Sequence, residues 1–158
     1  MTVKPVVVIG LGNPLMGDEG IGIRLVAELA ALAEHFPDTE FLDLGTSGMA
    51  VVHALAGRRK AILLDCAFMR EAPGTLRRFA PEEVRSGKIE RSFTMHEGDL
   101  LQFLELARVL GDAPDDIVLF GIEPEGVSPG EGLSATLAAR VGEYAEAILA
   151  ELIGPARD

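Results

Sequence analysis

The sequence predicts an α/β fold: a three-layer α/β/α sandwich around a mostly parallel sheet of about five strands. Three observations lead there. The runs at 5–11 (PVVVIGL), 60–68 (KAILLDCAF) and 115–123 (DDIVLFGIE) are almost continuously apolar and rich in β-branched residues, the pattern of strands covered on both faces. Stretches of helical period lie between them. Strand and helix patterns alternate along the chain, which implies right-handed crossovers with helices on both sides of the sheet.

The elements follow in order. After the strand at 5–11, the segment 20–36 places Ile21, Leu25, Leu29, Leu32 and Phe36 on one helical face and stops before Pro37, a crossover helix. TEFLDLG (39–45) alternates like a strand nearer the sheet edge. Residues 47–57 predict a short helix between Ser47 as N-cap and Gly57 as stop. Beyond 60–68, an extended excursion (72–79) and a helical turn (81–87) precede a helix over 95–110 that opens near His96. The last buried strand leads into a loop (124–132) and a closing helix (134–153) with Ser134 as N-cap. No linker, repeat or low-complexity tract divides the chain, so residues 1–158 are expected to form a single domain.

The balance of 14 Lys and Arg against 25 Asp and Glu gives a net charge of −11 and argues against nucleic acid, whose binding draws on cations that neutralise phosphates. The single Cys66 excludes an intramolecular disulfide and any cysteine-rich zinc site, and fits a reducing compartment. No run approaches a membrane span, and the N-terminus carries no cleavable leader pattern, so a cytoplasmic location is expected.

In open parallel sheets ligands bind beyond the carboxyl ends of the strands, so polar residues that follow apolar runs are the candidates. The turn GLGNPLMGDEG (10–20) has the glycines of a phosphate cradle but ends in Asp18 and Glu19, which repel an anion. Asp65 ends a buried strand, where a carboxylate loses hydration and needs a partner, a proton or a metal. His96 opens a helix. Each has a plain structural alternative: first-turn acids, an acid accepting N–H bonds from the next turn, a packed histidine. Together, two carboxylates and an imidazole form an oxygen and nitrogen ligand set suited to nickel, zinc or iron(II). Cys66 reads either as a nucleophile paired with His96 or as a small buried apolar residue. His35 and His53 read as structural. The loop GTSGM (45–49) offers glycines and hydroxyls to a peptide backbone, or is a plain helix start.

These residues resemble the hydrogenase maturation proteases, which trim the C-terminal extension from the large-subunit precursor of nickel-iron hydrogenases. The family's opening GxGNxLxxDEGxG element matches GLGNPLMGDEGIG (10–22), its GTxGM loop matches GTSGM, its strand-ending aspartate matches LLD (63–65), and its histidine before a helix matches MHEGDLL (95–101). GIEPEGVSPGEGLS (121–134) resembles its glycine-proline-glutamate region. The motifs occur in the family's order over most of residues 5–140.

The resemblance implies a catalytic and metal site of Glu19, Asp65 and His96, with Asp18 as second choice to Glu19, and a substrate-binding loop at Thr46, Ser47 and Gly48. It implies nickel supplied by the precursor as the recognition element, the large-subunit precursor as partner, and a monomer. Cleavage by a metal-activated water and an aspartic-type mechanism through Asp65 both remain open. A non-catalytic nickel chaperone would keep the same ligands. GLGNP also opens peptidyl-tRNA hydrolases, but their downstream Arg-His-Asn signature is missing and the charge is wrong for tRNA. Leu15 replaces the third glycine of a dinucleotide-binding GxGxxG.

Overall fold

The computed structural model describes residues 3–85, 92–93 and 100–154. Four strands run parallel: β1 (Val6–Leu11), β2 (Thr39–Gly45), β3 (Lys60–Phe68) and β6 (Asp116–Ile122). β4 (Leu76–Phe79) closes one edge antiparallel to β6, giving the order β2-β1-β3-β6-β4. The two-residue β5 (Ser92–Phe93) pairs with Ala67 and Phe68 at the end of β3. The sheet is thus mostly parallel around five strands, as the sequence predicts, with β2 at the edge.

The buried strands carry apolar side chains on both faces because both faces are covered. Val8, Ile62, Leu64, Val118 and Phe120 meet Leu25, Val26 and Leu29 of α1 (Ile21–Ala30) together with Leu137 of α5 (Ala135–Ala138) and Tyr144 and Ile148 of α6 (Val141–Ile153). Residues of the opposite parity, Val7, Ile9, Leu63 and Leu119, meet Val51 and Leu55 of α2 (Gly48–Leu55) and Leu104 of α4 (Leu100–Val109). Strand alternation therefore sorts one apolar run into two cores. α1 lies close on the sheet because Gly22 has no side chain: a β-carbon there would stand 2.3 Å from the Leu64 carbonyl oxygen and 2.4 Å from that of Leu11.

Both predicted caps form, with Ser47 Oγ accepting the Ala50 N–H (3.2 Å) and Ser134 Oγ accepting the Leu137 N–H (3.3 Å). The helix expected over 20–36 is regular only to Ala30; a 3-10 turn at Ala33–His35 follows as the chain bends back toward β2 ahead of Pro37. The closing helix is likewise two, α5 and α6, separated at Ala139 and Arg140. The excursion 72–79 is an edge strand over its second half, because Gly74 N–H donates to the Glu123 carbonyl (2.8 Å) and Glu123 N–H to that of Thr75 (2.9 Å), laying the segment beside β6. The predicted turn at 81–87 is helical over α3 (Pro81–Arg85).

At the amino edge of the sheet, buried Lys60 pairs with Glu151 (2.7 Å) and Asp116 (3.2 Å), and Arg78 also reaches Glu151 (2.5 Å). Burial pushes the Glu151 carboxyl up, but its hydrogen bonds and charge interactions with Arg78 and Lys60 outweigh that and hold it at about 2. A depressed folded-state value means that the unfolded chain binds the proton better. The stabilisation is therefore whole above about pH 4.5 and is lost as the pH falls toward 2. Glu151→Gln is expected to cost about 3 kcal/mol near neutral pH and to flatten this acid limb, read from urea midpoints across the acid range.

Candidate active site at the carboxyl edge of the sheet

β1, β3 and β6 all run to one edge, and each brings a buried carboxylate to it. Glu19 sits in a 3-10 turn (Gly17–Gly20) after β1, Asp65 sits in β3, and Glu123 follows β6. Asp65 is 2% exposed and its Oδ1 accepts the N–H of Cys66 (2.8 Å). Glu19 is 9% exposed, and its Oε2 is buried with no hydrogen-bond partner among the described residues. Burying such an oxygen unpartnered is costly, so the site stores an unmet demand for a donor or a cation.

Gly12 is where the two carboxylate-bearing segments meet. Its φ is +131°, and a β-carbon there would lie 1.9 Å from the Glu19 carbonyl oxygen and 3.7 Å from Asp65 Oδ1. Only a residue without a side chain lets the turn fold back this closely onto the end of β3.

Asp18 is fully buried, yet its oxygens accept N–H groups from Ser134 (2.7 Å), Glu125 (2.9 Å) and Gly126 (3.1 Å). Burial by itself raises an aspartate, but the Ser134, Gly126 and Glu125 donors outweigh it and hold Asp18 below the usual carboxylate range. The two adjacent acids thus differ: Asp18 is engaged by a distant loop, and Glu19 keeps an oxygen free.

Glu123 was not singled out from the sequence. Its Oε1 accepts the N–H groups of Met69 (2.7 Å) and Glu71 (3.0 Å), tying down the chain that leaves β3. The signal was the same as for Asp65, an acid closing a buried apolar run. Cys66 is 0% exposed; burial, then the charges of Asp65, Glu19, Asp18 and Glu123, push its thiol far above the ordinary range. The thiolate is the nucleophile, so the structure disfavours the reading of Cys66 as one. Cys66→Ala is expected to leave peptidase activity within about twofold, at a cost of about 1 kcal/mol for the lost packing. Iodoacetamide is expected to label the wild-type thiol only after denaturation.

The GTSGM loop lies beside this edge, because Gly45 accepts the Gly12 N–H through its carbonyl (2.9 Å). Thr46 is half-buried and Ser47 exposed, with the Ser47 hydroxyl serving as the α2 cap. Gly48 is buried where α2 crosses α4, and a β-carbon there would meet the Phe103 ring at 2.2 Å. His35 and His53 are both exposed rather than packed. His96 lies outside the described residues. Among the described residues no three His, Cys, Asp or Glu side chains are grouped to hold a metal; Glu19 and Asp65 supply two oxygen donors.

Residues 23–151 match the family model described as hydrogenase maturation protease. The chain belongs to the hydrogenase maturation protease family. It is similar to the Hydrogenase 2 maturation protease of Escherichia coli, 34% identical over 151 residues that cover 93% of this chain and 90% of that protein. Its fold matches the hydrogenase maturating endopeptidase HybD from E. coli with a TM-score of 0.77 at 31% identity, covering 96% of this chain and 92% of that one. The [NiFe] hydrogenase maturation protease HybD from Thermococcus kodakarensis gives the same TM-score at 25% identity, covering 96% and 99%. As a maturation protease the chain is a peptidase, and the matched residues include positions 65 and 96 while beginning just past Glu19.

Proposed function

We propose that this protease is an endopeptidase that removes the C-terminal extension of a nickel-iron hydrogenase large-subunit precursor after nickel insertion. The observation that carries the reading is the buried, unpartnered Oε2 of Glu19 on a turn packed against the end of β3 at Asp65. Two carboxylates, Glu19 and Asp65, are hard oxygen donors that suit a divalent metal carried by the substrate, and a net charge of −11 suits the same cationic cargo. The names of the similar proteins, a hydrogenase 2 maturation protease and [NiFe] hydrogenase maturation proteases, support the substrate class.

In this reading Glu19, Asp65 and His96 add ligands to the precursor's nickel, His96 standing three residues after Phe93, whose backbone pairs with Ala67. Only a loaded precursor then gains these contacts, which makes nickel the recognition element. Capture sets the scissile peptide beside Asp65, with the GTSGM backbone at Thr46, Ser47 and Gly48 orienting the extended chain. Hydrolysis follows by water activation at the metal, or with Asp65 itself as the base. The protein works as a monomer in the cytoplasm; among the described residues no helix is long and apolar enough to cross a membrane.

The test is incubation with a large-subunit precursor, with and without nickel, read by intact mass. Loss of the extension only from loaded precursor is the expected result. Binding without cleavage points to a nickel chaperone, and cleavage regardless of nickel removes the recognition role.

A further inference from the structure

Asp18 organises a contact of its own. Oδ2 takes the N–H groups of Glu125 and Gly126, and Oδ1 takes that of Ser134. The backbone reinforces the join: Asp18 N–H donates to the Gly126 carbonyl (2.9 Å), Gly17 N–H to that of Gly130 (3.0 Å), and Gly130 N–H to that of Leu15 (2.8 Å). Segment 124–134 is thereby buckled onto residues 15–18 across more than a hundred positions of sequence, with the charge-assisted bonds of Asp18 at its centre. Glu19 is the next residue in the same short turn, and among the described residues its Oε2 has no bond to fix it. A buried oxygen without a partner takes its aim from the backbone that carries it.

We propose that Asp18 is a positioning residue: by clasping loop 124–134 it fixes the Gly17–Gly20 turn, whose Glu19 backbone packs on Gly12 beside Asp65, and so sets the aim of the Glu19 carboxylate. The claim rests on Glu19 being a ligand for the substrate's nickel. Groups that orient a ligand in this way are worth about 10- to 100-fold in metal affinity.

Three variants separate this role from a general contribution to stability. Asp18→Asn keeps an acceptor oxygen but turns an NH₂ toward a backbone donor, releasing part of the clasp. Ser134→Pro removes one donor at a backbone φ of −58°, which proline adopts, and leaves both acids untouched. Ser134→Ala is the intermediate step: it keeps the N–H but loses the hydroxyl, which caps Leu137 and also bonds Asp18.

Calorimetric titration of each protein with Ni²⁺ alone is expected to show about 10-fold weaker binding for Asp18→Asn, a smaller loss for Ser134→Pro, and the smallest for Ser134→Ala, which keeps the N–H. In a Glu19→Gln background Asp18→Asn is expected to add nothing further, because the path runs through Glu19. Additive losses, or unchanged affinity in Asp18→Asn, overturn the proposal. Amide hydrogen exchange supplies the second readout: Asp18→Asn is expected to speed exchange in the 17–20 turn while the α1 core stays protected, and unchanged exchange there overturns the clasp. Should Glu19→Gln alone leave nickel affinity intact, the ligand reading of Glu19 fails, and the exchange data still decide whether Asp18 holds the turn.

Discussion

Asp65→Asn is expected to leave a folded protein that has lost its peptidase activity. The amide keeps an oxygen for the Cys66 N–H, which Asp65 Oδ1 accepts at 2.8 Å, so this bond within β3 is retained. What disappears is the negative charge and the capacity to take a proton. If the carboxylate is the base, its loss removes about 10²- to 10⁴-fold of rate; if it ligates the substrate's nickel, a neutral amide oxygen is a far poorer donor for a divalent ion. Both routes predict at least about a 100-fold drop in single-turnover cleavage. The thermal transition should move little, and a collapse of the fold would show that Asp65 is structural instead.

Gly12→Ala is expected to be the most damaging single methyl group among the described glycines. Its β-carbon would sit 1.9 Å from the Glu19 carbonyl oxygen, a backbone atom that cannot rotate away, at a φ of +131° that side chains avoid. Overpacking costs about 1–3 kcal/mol and the backbone strain about 1–3 kcal/mol more, and relief requires the Glu19 turn to leave Asp65. Activity should fall together with stability. Gly45→Ala is the comparison: φ is +58°, but nothing lies within 4 Å of the new carbon, so about 1 kcal/mol is expected. Urea midpoints for the pair check both, and equal losses would remove the clash from the explanation.

The architecture was legible because burial on both faces writes itself as unbroken apolar runs. Val6–Leu11 has no polar position and Lys60–Phe68 only Lys60 and Asp65, so both read as covered strands, and the caps at Ser47 and Ser134 marked real helix starts. Helix continuity was less legible: Leu32 and Phe36 keep the helical spacing of the preceding face, yet tertiary need bends the chain after Ala30. β4 hid because its pairing with β6 is decided by Glu123 backbone bonds formed across the fold.

The site was legible at the level of which strand ends carry acids. Glu19 and Asp65 each follow an apolar run, and the structure packs their segments together at Gly12. The division of labour between Asp18 and Glu19 could not be read from adjacency. It is set by N–H groups at 125, 126 and 134, whose approach depends on the whole sheet being assembled. Glu123 escaped notice although it repeats the strand-ending pattern of Asp65, and its role as a brace for Met69 and Glu71 is visible only in three dimensions.

In the proposed function Glu19 lets the protease tell a loaded precursor from an empty one. The most direct test is the equilibrium affinity of wild-type and Glu19→Gln protein for nickel-loaded and nickel-free precursor, since a ligand selects between two states only by its differential affinity for them. Wild type is predicted to favour the loaded form by at least about 10-fold, with Glu19→Gln losing most of that preference. Equal affinity of the wild-type protein for both forms would contradict the account.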